Sequence, residues 1–139
     1  MTSPADLHDS LVALLKTIGT VNVFDADVPD KPPADPSGKV FPYVVVWPSA
    51  GWYPADEADP LCGQPDGSLV WPVQLTVAAG NPAWVLPAAV AVRAKVAGVH
   101  LTSTAGPLRE DAGAVNVQKD TDTSPTRWFV PLLYRAQTA

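Results

Sequence analysis

The chain has 139 residues, 47% of them hydrophobic and 17% charged, with a formal net charge of −5. That length is one domain's worth and is enough to hold a core without covalent staples. The charge balance excludes a charged disordered tail and argues against a non-specific grip on nucleic acid. The single cysteine, Cys62, excludes an internal disulfide framework.

The first predicted element is a helix. Ser3 is placed to cap it, Pro4 sits at its first position, and Asp6 lies in its first turn. Leu7, Leu11, Leu14, Leu15 and Ile18 form one apolar stripe, and Gly19 supplies the stop. A short strand over Thr20 to Phe24 follows. Asp25 to Lys39 reads as a loop, with Pro29, Pro32, Pro33 and Pro36 and no periodicity. Its acids Asp25, Asp27 and Asp30 have a calcium-loop spacing at first. Pro29 and Asp30 then stand where an acid and a glycine belong, so a solvated loop is the better account.

A second strand is expected from Val40 to Trp47. Pro48 to Ser68 is a long connection rich in Gly and Pro, too long for an idle linker in a compact domain. It carries Asp56, Glu57, Asp59 and Asp66 and no basic residue. Those acids are either a solvated tip or an electronegative surface facing a specific partner. Trp52 and Tyr53 in the same loop either fold back on the core or are offered to a partner, since these residue types are enriched at interface hot spots.

Leu69 to Val77 alternates cleanly, with Leu69, Trp71, Val73, Leu75 and Val77 on one face. Asn81-Pro82 resembles a helix start. Pro87 inside a helix would cost about 3 kcal/mol, so the expectation is a turn at Pro82 to Leu86 and a helix from Pro87 to Ala97, closed by Gly98. That helix is mostly Ala and Val, and so slim that it should pack closely on a sheet or on a neighbouring subunit. Two strands complete the chain, Gly106 to Gln118 with a candidate break at Gly113, and Thr126 to Arg135. Trp128, Val130, Leu132 and Tyr134 share a face of the last strand, and Lys119 to Pro125 joins the two as a hairpin.

The 16 prolines would mark disorder were they not interleaved with apolar runs such as Tyr43 to Trp47. Pro42, Pro72 and Pro131 fall in predicted strands, where proline belongs at edges, starts or bulges, and Pro42 is the best candidate for a start. The element order predicts an α+β domain with two helices on a mainly antiparallel sheet of four to five strands.

No motif announces a reaction. Cys62 as a nucleophile would need His8 or His100 beside it, and the sequence places neither there. No GxSxG elbow, phosphate-binding loop or Cys/His metal spacing is present. The N-terminal stretch carries Asp6 and Asp9 and no basic residue, unlike a signal peptide. The apolar run Trp84 to Val92 is far short of the roughly 20 residues a membrane span needs. The expectation is therefore the cytoplasm, or an assembly formed there, and no membrane contact.

The chain resembles the tail-terminator (tail-completion, or neck) proteins of long-tailed, siphovirus-type bacteriophages. The likeness is carried by five stretches: the opening helix with Val21-Asn22-Val23-Phe24; Phe41-Pro42-Tyr43-Val44-Val45-Val46; Val73-Gln74-Leu75-Thr76-Val77; Val92-Arg93-Ala94-Lys95-Val96; and Gly106 to Asp111 together with Arg127 to Arg135. They span most of the chain and are structural motifs. The two loops Asp25 to Lys39 and Pro48 to Ser68 are expanded relative to the family pattern.

The resemblance implies a structural virion protein assembled in the host cytoplasm, with no enzymatic role, catalytic residue, cofactor or metal. It implies a homo-oligomeric ring, usually a hexamer, that caps the finished tail tube. Its partners would be the major tail-tube protein and the head-completion or connector protein, with genome DNA passing through unheld. On that footing Trp52, Tyr53, Asp56, Glu57, Asp59 and Asp66 are interface or lumen candidates. Three alternatives stay open: a head-closure or minor tail protein of the same neck region, a monomeric ligand-binding module displaying Trp52 and Tyr53, and a small enzyme using Cys62.

Overall fold

The computed structural model of the protein describes residues 2–53, 68–112 and 116–138. The chain is α+β: two helices and a six-stranded, mostly antiparallel sheet. In chain order the elements are α1 (Pro4–Lys16), β1 (Asn22–Asp25), β2 (Tyr43–Trp47), β3 (Val70–Ala79), α2 (Pro82–Val96), β4 (Arg109–Asp111), β5 (Gln118–Asp120) and β6 (Arg127–Gln137). The strands lie in the order β1-β2-β3-β6-β4, with β5 also paired to β6, and only β1 and β2 run parallel.

Helix α1 begins with a capping box. The Ser3 hydroxyl accepts the Asp6 N–H and the Asp6 carboxylate accepts the Ser3 N–H, each at 3.1 Å. Hydrogen bonds from Ser3 hold the Asp6 carboxyl below its ordinary value, the backbone N–H contributing most and the hydroxyl next. Leu7, Leu11, Val12 and Leu15 are buried, Leu14 and Ile18 partly so. The helix ends at Lys16, and Gly19 turns the chain just beyond with φ of 79°.

Both helices cover one face of the sheet. Val44 and Val46 of β2, the odd-numbered residues Trp71 to Ala79 of β3, and Val130, Leu132, Tyr134 and Ala136 of β6 meet the buried leucines of α1 and Val85, Ala88, Ala89, Val92 and Val96 of α2 in one core. The predicted alternation of β3 and β6 is the burial pattern observed. The opposite face holds a smaller cluster, Val40, Tyr43, Val45 and Ala78, with Phe24, Val28 and Phe129 packed against it.

Two expectations are corrected. Helix α2 starts at Pro82, not Pro87, with the Asn81 side chain accepting the Ala83 N–H at 3.0 Å. Pro87 sits inside its second turn on the exposed side, where the apolar burial of the opposite face outweighs one lost backbone bond. The strand predicted from Gly106 to Gln118, with its candidate break at Gly113, is two short strands, β4 and β5, and the sheet has six strands rather than four or five. Gly113 lies outside the described residues.

The strand prolines find places where a missing N–H costs nothing. Pro42 immediately precedes β2. Val70 exchanges both backbone bonds with Trp52, on the β2 side of β3, so Pro72, two residues on, also directs its nitrogen to that side. There β2 has already ended, at the Trp47–Gln74 pair. Pro131 stands opposite Thr76 with its nitrogen directed away from β3. On that side β4 pairs up to Leu133 and β5 up to Phe129, leaving Pro131 in the gap between them.

Candidate interaction surfaces

The residues of α2 that point away from the core are Ala83, Leu86, Pro87, Val90 and Ala94, at helical spacing and without a charge among them. Leu86 is 59% exposed and Val90 64%. An amphipathic surface helix would place polar residues on this face. The charged residues of α2, Arg93 and Lys95, are in its last turn and are half-buried.

Beside this stripe lies an apolar groove of about 530 Å³. Trp84, Pro87 and Ala88 form its α2 wall, and Thr20, Val21, Phe41 and Pro42 at the ends of β1 and β2 form the other. Phe41 is 43% exposed. The groove is continuous with the stripe through Pro87, which belongs to both.

Arg93 ties this helix to the sheet. Its Nε donates to Glu110 Oε1 at 2.7 Å, and the same oxygen accepts the Tyr134 hydroxyl at 3.2 Å. Burial, and then the Glu110 charge, push the Tyr134 phenol up to about 12. The Glu110 hydrogen bond raises the Arg93 guanidinium further, overcoming its partial burial.

The predicted interface residues divide into two groups. Trp52 and Tyr53 are both exposed, and Trp52 pairs with Val70 through backbone bonds of 2.9 and 2.8 Å. The Arg135 guanidinium lies 5.9 Å from the Trp52 ring centroid. Trp52 therefore sits at the end of the sheet face that the helices leave open. Asp56, Glu57, Asp59 and Asp66 lie outside the described residues, as does Cys62.

The histidines have ordinary structural contacts. His8 Nε2 is 2.6 Å from Asp25 Oδ1, joining α1 to the end of β1. His100 Nδ1 is 2.8 Å from the Ala105 carbonyl. Asp35 organises its turn by accepting the N–H groups of Ser37 and Lys39 and the Ser37 hydroxyl, which, with the hydroxyl foremost, hold its carboxyl below the usual range. Among the described residues no three His, Cys, Asp or Glu side chains are grouped to hold a metal ion. No helix among them is long and apolar enough to cross a membrane.

The sequence reading missed Phe41, Trp84, Leu86 and Val90 as surface residues. The signal was the composition of α2, which has no polar face to offer solvent. No protein-family model matches the chain, and no curated protein matches its sequence.

Proposed function

We propose that the protein is a ring-forming structural subunit of a phage tail neck, a tail terminator that caps the tail tube and joins it to the head connector. The observation that carries the reading is the uncharged outer stripe of α2 beside an apolar groove on the same chain. Contiguous exposed apolar surface of this kind marks an association site. A ridge from one copy seated in the groove of the next is a heterologous contact, which closes into a ring when its rotation closes. The sequence resemblance supplies the identity of the ring, and the acidic net charge suits a conduit that does not grip DNA phosphate.

The test has two parts. Leu86→Asp with Val90→Asp should abolish self-association in sedimentation, on the tail tube if not free in solution, while the circular dichroism spectrum is unchanged. Tails assembled with that variant should be abnormally long, or headless, in electron micrographs. Normal tails and normal particles would overturn the reading. Normal tail length with heads that leak DNA would favour a head-closure protein instead.

A further inference from the structure

On the open face of the sheet lies a second hollow, of about 320 Å³, lined in part by Tyr43, Trp47, Thr76, Asp120, Arg127 and Phe129. Arg127 is only 9% exposed. It forms no ion pair among the described residues. Its Nη1 donates to the Tyr43 hydroxyl at 3.4 Å and its Nη2 to the Asp30 carbonyl at 3.3 Å, both long bonds to neutral acceptors. Its Nε is buried without a partner among the described residues. The guanidinium also lies 6.0 Å from the Tyr43 ring centroid.

A buried charge is normally paired and fully hydrogen-bonded, because removing it from water is costly. The planar donor fork of arginine matches a carboxylate in shape. We propose that this hollow is a binding site for a monoanionic carboxylate carried on a flat apolar group. The aromatic walls Trp47 and Phe129 would receive the apolar part, and Arg127 the carboxylate. A phosphate dianion fits less well, since one cation faces it and Asp120 stands in the same wall. The volume is at the small end of ligand sites, which argues for a small acid. The site does not depend on the ring reading, because it lies on the other face of the sheet.

Benzoate is the probe and benzamide its neutral control. Calorimetry on the full chain should give a benzoate Kd of about 1 mM or tighter, with NMR shifts at the Trp47 indole and the Arg127 Nε–H. Benzamide should bind at least about tenfold more weakly. Arg127→Met should abolish the benzoate response. Asp120→Asn should tighten it severalfold, and keeps the test decisive if the Met variant fails to fold. An acidic side chain of a second copy has the same chemistry. In that case sedimentation would show self-association that benzoate suppresses, whereas a free acid would leave the particle size unchanged. Equal binding of benzamide and benzoate, or no benzoate response at all, would overturn the proposal.

Discussion

Tyr134 and Glu110 stand opposite each other on β6 and β4, and the Tyr134 hydroxyl donates to Glu110 Oε1 at 3.2 Å. Arg93 of α2 donates to the same oxygen at 2.7 Å. One carboxylate at the sheet edge thus holds the last turn of α2 and the buried ring of β6 together. The placement orients the helix whose outer stripe is the proposed contact surface.

Removing the hydroxyl should be visible in the alkaline range. The Tyr134 phenol titrates at about 12 in the folded chain against 10.0 for an ordinary tyrosine. Folding therefore favours the protonated form. Its contribution is full below pH 10 and is lost as the pH rises from about 10 to about 12. Tyr134→Phe should cost about 1 kcal/mol at neutral pH, through the lost hydrogen bond. Urea unfolding at about pH 8 and pH 11 should show the gap between variant and wild type narrowing. A gap that widens would contradict the assignment.

At the acid end the capping box gives the opposite sign. The Asp6 carboxyl is held below its ordinary value of 3.8 by the Ser3 N–H and hydroxyl. Its contribution is present above the unfolded value and is lost as pH falls through the folded one. Asp6→Ala should lower the unfolding midpoint at pH 7 and make little difference at about pH 2. An equal effect at both pH values would mean that the box acts through something other than its charge.

Pro87 removes one backbone bond, that to the Ala83 carbonyl, from the middle of α2. Pro87→Ala should stabilise the chain by about 1–3 kcal/mol, read as a higher Tm. The same variant changes the residue shared by stripe and groove, so self-association should weaken while stability rises. A Tm equal to or below that of the native chain would show that the helix already accommodates the proline without cost.

Gly80 connects β3 to α2 where the backbone before β2 passes over it. A Cβ there would lie 2.5 Å from the Val40 nitrogen and 2.9 Å from Lys39 Cα, and neither atom can swing aside. Gly80→Ala should cost about 1–3 kcal/mol. It should also lengthen the Gly80 N–H to Val40 carbonyl bond, now 2.9 Å, which hydrogen exchange at Gly80 would report. Unchanged protection at Gly80 would mean that the segment before β2 yields easily.

Much of the fold was legible because it rests on local patterns. The period-two alternation of Leu69 to Val77, the leucine stripe of α1 and the Ser3/Asp6 cap each need only a few neighbouring residues. What failed was α2. Local propensity placed its start at Pro87, and the penalty for a proline in the second turn was outweighed by burial of Val85, Ala88 and Ala89 on the far side. The break between β4 and β5 showed in the sequence only as a candidate at Gly113, and its extent is set by which residues of β6 each strand pairs with.

The surfaces follow the same division. On sequence alone Trp52 and Tyr53 either fold back on the core or are offered to a partner; both are exposed, and the backbone of Trp52 is held by its pairing with Val70. Arg127 carries no signal in sequence. Its neighbours Trp128 and Phe129 are ordinary strand residues, and the burial of its charge depends on Tyr43 and Asp30, both far away along the chain.

By itself, the amino-acid sequence determined the class of the domain and which faces of β3 and β6 turn inward. It also determined that α2 is too apolar to meet solvent comfortably on any side. These are properties of periodicity and composition, which act over a few residues. Only the tertiary structure decided that the helices share one face of the sheet, that Leu86 and Val90 are left uncovered beside a groove, and where each strand proline could sit. Those outcomes depend on strand order and register, which arise from contacts between segments distant in the chain and leave no local trace.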